Sequence, residues 1–172
     1  MLLKPKDREV LQKLFADKLH APVRLRVFSD GTSGKILSAA CPECSQMVQL
    51  MNEVAELSEH ITVDIVNFNT DKETVEKYGI KRIPALVIEG EKDYGVRYYG
   101  LPAGYEFSSF VEDVIDVARG ETDLSAESLE QLARIDTPVH IQVFVTPTCP
   151  YCPSAVRLAH KMAIVNDNIT AD

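Results

Sequence analysis

Apolar positions recur at helical spacing over residues 7–19, where Val10, Leu11, Leu14, Phe15 and Leu19 share one side of a predicted amphipathic helix. Ala21-Pro22 ends it, because the residue before a proline is pushed out of helical dihedrals. The period then drops to two. Val23, Leu25 and Val27 alternate with Arg24 and Arg26 and lead to Phe28, which predicts a strand with one buried face. After a loop holding Gly31 and Gly34, a long helix is predicted from Pro42 to about Ser58 on Met47, Val48, Leu50, Met51, Val54 and Leu57. Pro42 suits its first turn, where a missing N–H costs nothing. Residues 61–68 are mostly apolar and β-branched and read as a strand buried in the sheet.

Residues 71–78 read as a short helix closed by Gly79, and 83–88 as a strand with Pro84 near its start. A turn at Gly90 leads to an antiparallel partner strand over 95–99. Phe107, Phe110, Val111, Val114, Ile115 and Ala118 mark one face of a helix over 107–118. The polar stretch 120–125 is a candidate linker, and Ser125 caps the next helix.

Composition narrows the function classes. The 172 residues are 45% hydrophobic and 26% charged, enough for one large or two small cores without disulfide staples. The net charge of −8 comes from acids spread along the chain, and no basic stripe appears, which argues against nucleic acid as a partner. No apolar run approaches the roughly 18 residues of a membrane span, and the N-terminus lacks an apolar leader, so a cytoplasmic protein is expected. His20, His60, His140 and His160 are scattered and expected at surfaces or helix ends, and Tyr78, Tyr98 and Tyr99 as packing residues.

The four cysteines form two C-x-x-C pairs, Cys41-Pro42-Glu43-Cys44 and Cys149-Pro150-Tyr151-Cys152. Each follows a strand-like run and precedes a helix-like one. A cysteine there faces unpaired backbone N–H groups, which favour the thiolate, the species that attacks disulfides. A second cysteine one turn on can resolve the mixed disulfide. The pattern predicts dithiol–disulfide exchange. A shared four-cysteine zinc site is the competing reading, but 104 residues separate Cys44 from Cys149, and no histidine lies at ligand spacing to either pair.

The chain also repeats itself. Pro22-Val23-Arg24-Leu25-Arg26-Val27-Phe28 is echoed by Pro138-Val139-His140-Ile141-Gln142-Val143-Phe144, an offset of 116. The cysteines and the next strand are offset by 108, as in Ile61-Thr62-Val63-Asp64 against Ile169-Thr170-Ala171-Asp172, so the first copy holds eight extra residues between Phe28 and Cys41. Units at 1–120 and 121–172 are expected. The second copy stops at the equivalent of Asp64, roughly 55 residues short, so an intact tandem of about 230 residues is expected, and an incomplete half-unit must lean on another surface.

This order, with C-x-x-C after the first strand and Tyr78-Gly79-Ile80-Lys81-Arg82-Ile83-Pro84-Ala85-Leu86-Val87 entering the third, resembles the thioredoxin/glutaredoxin superfamily. Its tandem form resembles the two-unit glutaredoxin-like protein disulfide oxidoreductases. The resemblance implies an α/β fold of tandem thioredoxin-like units, each a mixed central sheet flanked by helices, the second incomplete. It implies a protein-disulfide oxidoreductase that needs no cofactor for the exchange itself. Protein disulfides are its expected substrates, and a reductase of the thioredoxin-reductase type its expected electron donor. Cys41 and Cys149 would attack and Cys44 and Cys152 resolve. Pro84 would be cis and face Cys41, with the Ile83 backbone pairing with substrate. Glu43 should raise the Cys41 thiol pKa and make the first pair the more reducing. The buried acid that thioredoxin has six residues before the first cysteine is replaced by Lys35 and Val143, so the resolving thiol's proton acceptor must come from elsewhere or from solvent. A dedicated electron donor to a peroxidase and a non-catalytic interaction module are the alternative functions.

Overall fold

The computed structural model describes residues 2–31, 41–146 and 148–172. The expectations for Lys35 and for the eight-residue extension before Cys41 fall on residues outside the described set. Helix α1 (Pro5–Lys18) leads to strand β1 (Val23–Ser29), then α2 (Cys44–Ala55), β2 (Ile61–Asn67), α3 (Lys72–Lys77), β3 (Ala85–Glu89), β4 (Asp93–Tyr99) and α4 (Glu106–Arg119). The chain continues through α5 (Ala126–Leu132), β5 (Val139–Ile141), α6 (Cys152–Val165) and β6 (Ile169–Ala171). Local chemistry sets the boundaries. The Asp71 carboxylate caps α3 by accepting from the Thr74 amide at 3.1 Å, and the Ser125 hydroxyl caps α5 through the Ser128 amide at 3.2 Å. Gly79 and Gly120 end α3 and α4 at φ 64°, a conformation that costs glycine nothing.

The strands form one mixed sheet in the order β2-β1-β3-β4-β6-β5. β1 runs parallel to β2 and antiparallel to β3, and β4 is antiparallel to β3. The sheet continues across the repeat, because β6 runs parallel to β4 (Val96 opposite Ala171) and to β5. β2 is an edge strand rather than the buried strand its apolar run suggested. Among the described residues it pairs with β1 alone, and Ile65 is 46% exposed.

The period of two sorts the side chains between faces. Leu25, Val27, Leu86 and Ile88 point into a large core with Phe15 of α1, Met47 and Met51 of α2, Phe110 and Val114 of α4, and Ala159 and Ala163 of α6. On the other face Phe28, Ala85 and Val87 pack beneath Val75, Tyr78 and Ile80. The second copy supplies β5, α6 and β6, and joins the first core through α4 and β4. Its first strand is shorter than β1, three residues against seven. β1 has β3 along its second edge, whereas β5 pairs with β6 alone among the described residues. Phe144, the counterpart of fully buried Phe28, is accordingly 82% exposed.

Gly95 makes the junction possible. Its φ is +80°, and a Cβ there would lie 2.8 Å from the Ile169 carbonyl oxygen and 3.2 Å from the Thr170 Cα, both backbone atoms of β6. Gly95→Ala should therefore cost about 1–3 kcal/mol, from backbone strain and overpacking. Denaturant unfolding should show the loss, with faster amide exchange in β6. A wild-type midpoint would contradict this account of the junction.

A buried polar cluster fastens α6 to α4. The fully buried Asp113 carboxylate accepts from the Tyr98 hydroxyl at 2.5 Å and bonds Arg157, while His160 Nδ1 lies 2.6 Å from its Oδ2. Arg157 also reaches Asp116 at 2.6 Å and Glu112 at 3.0 Å. Burial alone would lower the Arg157 guanidinium pKa, but Asp113 and Asp116 outweigh it and hold it above its ordinary value. Burial and then Asp113 push the Tyr98 phenol well up. His160 is thus no surface residue, contrary to expectation. It is 1% exposed, on the face of α6 that meets α4 and β4.

Candidate active site

Each cysteine pair closes a disulfide, with Cα–Cα separations of 5.4 Å for Cys41–Cys44 and 5.5 Å for Cys149–Cys152. The helices begin at the second cysteine of each pair, not at the proline beside the first. Cys41 and Cys149 sit in the turn just before, and in the first pair that turn is closed by the Cys44 amide donating to the Cys41 carbonyl at 3.2 Å. In the second pair the Cys152 amide donates to Cys149 Sγ at 3.1 Å. The same N–H would face a thiolate at Cys149 once the disulfide opens, and hydrogen bonding to the charged form lowers a thiol pKa.

The pairs differ in access. Cys41 is 2% exposed and Cys44 fully buried. Cys149 and Cys152 are half-buried. Beside the second pair, Tyr151 and Phe144 stand 83% and 82% exposed.

A cleft of about 340 Å³ runs between the two copies, lined among others by Glu43, Ile83, Pro84, Glu106, Phe144 and Val156. The Ile83–Pro84 peptide is cis. The Pro84 carbonyl accepts from the Gly100 amide at 3.0 Å, and a Cβ on Gly100 would sit 3.9 Å from Glu43 Oε2, so the proline segment adjoins the first cysteine motif. The cleft thus brings together Ile83, Pro84 and one residue from inside the first motif, and reaches toward the second through Phe144 and Val156.

Glu106 carries no sequence motif that marks it as functional. It opens α4, and its Oε1 is buried with no hydrogen-bond partner among the described residues. Burial raises its carboxyl above the usual range, offset in part by His160. The first turns of α4 and α6 touch, with Ser109 Oγ donating to the Pro153 carbonyl at 3.3 Å. An acid with one oxygen unpartnered among the described residues therefore lines the cleft, on a helix whose first turn meets the helix that carries Cys152.

A family profile described as Thioredoxin domain matches residues 33–112. A protein disulfide oxidoreductase from Aeropyrum pernix superposes with a TM-score of 0.83 at 25% identity, over 100% of this chain and 75% of that one. Residues 33–112 thus carry a thioredoxin-like domain, and the chain shares the fold of a protein disulfide oxidoreductase. The NTD_N/C domain of alkyl hydroperoxide reductase AhpF from Enterococcus faecalis also superposes with a TM-score of 0.83 at 26% identity, covering 98% of this chain and 78% of that one. The F component of the alkyl hydroperoxide reductase from Staphylococcus epidermidis is 31% identical over 73% of this chain. The chain spans 23% of that relative's length. No helix among the described residues is long and apolar enough to cross a membrane.

Proposed function

We propose that the chain exchanges disulfides with protein partners chiefly through its second pair, Cys149–Cys152. The observation that carries this is the half-buried Cys149 sulfur with the Cys152 amide aimed at it, set against a first pair almost closed to solvent. In the reducing direction the Cys149 thiolate attacks a substrate sulfur, the substrate S–S bond breaks, and the departing sulfur leaves as a thiolate that takes a proton. Cys152 then gives up its proton and attacks Cys149 Sγ, which forms the Cys149–Cys152 disulfide and frees the second substrate thiol. Two electrons pass to the substrate, and a dithiol donor of the thioredoxin-reductase type returns them. Glu106 takes the Cys152 proton, the role for which Lys35 and Val143 are unsuited. The backbone at Ile83 and Pro84 pairs with an extended substrate segment beside the cysteines. A compartment that keeps thiols reduced, the cytoplasm, suits this chemistry.

Insulin reduction with a chemical dithiol as donor tests the activity, and turnover no faster than the donor alone would refute it. Glu106→Gln should slow resolution roughly 10-fold or more and flatten its dependence on pH. The same substitution should flatten a pH dependence of stability. A carboxyl whose folded pKa is raised favours the protonated folded state, so stability falls as pH climbs from the ordinary carboxylate pKa through the raised one. Glu106→Gln removes that fall. Urea midpoints measured across this window in both proteins check the sign.

The alkyl hydroperoxide reductase relatives favour a second reading, in which the protein disulfide served belongs to a peroxide-reducing system. Peroxide consumption in a reconstituted mixture of a dithiol reductase, this chain and a thiol peroxidase tests it, with insulin reduction as the reference rate.

A further inference from the structure

We propose that Arg82 selects substrates by charge: its guanidinium takes a carboxylate side chain of the protein segment that lies along Ile83 and Pro84, so the preferred partners carry Asp or Glu close to the disulfide. This deepens the reading of that backbone as the substrate-pairing edge and rests on it. Arg82 directly precedes Ile83, is exposed, and lines the same cleft. Its guanidinium lies over the Tyr99 ring, 4.8 Å from the centroid. Tyr99 is a firm seat. It pairs with Ala85 between β3 and β4, and its side chain packs against the smaller core that holds Phe28 and Tyr78. A ring face attracts a guanidinium and leaves its N–H groups free to donate to a carboxylate.

The Arg82 charge meets no carboxylate among the described residues. Arg26 and Arg97, whose guanidiniums lie over the Tyr78 ring, are different. Asp64 and Glu89 hold the first, and Asp93 holds the second. Asp172 shares the cleft with Arg82 but is bonded by His140 and Gln142. The cleft keeps its other acids apart from Arg82. Glu43 stands by Gly100, where a Cβ would come 3.9 Å from its Oε2, and Glu106 opens α4. No ion pair joins either acid to Arg82 among the described residues. The preference is therefore positional. A carboxylate directed at Arg82 is attracted, and one directed at Glu43 or Glu106 is repelled. An extended segment advances about 3.3 Å per residue and alternates its sides, so only about two of its positions can present an acid to Arg82.

The test reads binding apart from exchange. Dye-labelled peptides carry serine in place of the disulfide cysteine and a single Asp or Lys at one position on either side of it. Each is titrated against the oxidised protein at low salt. At one or two positions the Asp peptide should bind about threefold to fivefold tighter than its Lys counterpart, and the difference should shrink in about 0.5 M salt. Arg82→Ala should abolish the preference. Arg82→Glu should invert it there and leave the other positions unchanged. Arg82 is exposed, so neither substitution disturbs the core. Equal binding of Asp and Lys peptides at every position, or no binding at all, overturns the proposal, and so does a preference that survives Arg82→Glu. Exchange rates of the matching peptide disulfides judge the underlying reading separately. A charge preference in binding without any exchange would sink the activity and keep the role of Arg82, and exchange without a charge preference would do the reverse.

Discussion

Cys149→Ser should lower protein-disulfide turnover roughly 100-fold or more, toward the rate of the chemical donor alone, while Cys41→Ser should keep most of it. Attack on a disulfide needs a thiolate and a line of approach. The second pair offers both, since the Cys152 amide points at Cys149 Sγ and both cysteines are only half-buried, with exposed Tyr151 between them in the motif. A serine hydroxyl ionises far too weakly to replace the thiolate. At Cys41 the sulfur would have to be uncovered first, because the residue is 2% exposed. Insulin reduction by the two single variants and the double variant reads the difference. Equal losses in Cys41→Ser and Cys149→Ser would make the first pair an obligatory station in the path.

Asp113→Ala should destabilise the protein by about 3–5 kcal/mol, the usual cost of breaking a buried ion pair from one side. The carboxylate is fully buried and serves Tyr98, Arg157 and His160 at once. Removing it strands the Tyr98 hydroxyl, the Arg157 guanidinium and the His160 ring between α4, α6 and β4, and leaves a cavity. For a chain of this size the thermal midpoint should fall by roughly 10 °C. Arg134→Ala, which breaks the exposed Arg134–Glu130 pair, should leave the midpoint almost in place and serves as the control. A midpoint loss in Asp113→Ala no larger than in the control would mean that the cluster contributes little to joining the two copies.

Much of this was legible in the sequence because it depends on local signals. The alternation of Val23, Leu25 and Val27 and the helical spacing around Phe110 and Val114 report burial directly, and β1 and α4 form where they predict. The cysteine spacing places each pair at a helix start, although closing the turn delays α2 and α6 to Cys44 and Cys152. What escaped depends on partners far away in the chain. β2 reads as buried because its composition is apolar, yet only its neighbours decide whether a strand lies at an edge. His160 is one histidine on a helix until Asp113, 47 residues earlier, meets it. Glu106 shows its character only in the fold, as an acid at a helix start with a buried, unpartnered oxygen on the cleft. The glycine that lets β6 approach β4 is likewise visible only once the two copies share a sheet.

The most direct test traps the exchange midway. With Cys44→Ser and Cys152→Ser combined neither pair can resolve, so reaction with a peptide disulfide should accumulate a mixed disulfide that digestion and mass spectrometry place on Cys149. A mixed disulfide found on Cys41 instead, with Cys149 unmodified, would contradict the assignment of exchange to the second pair.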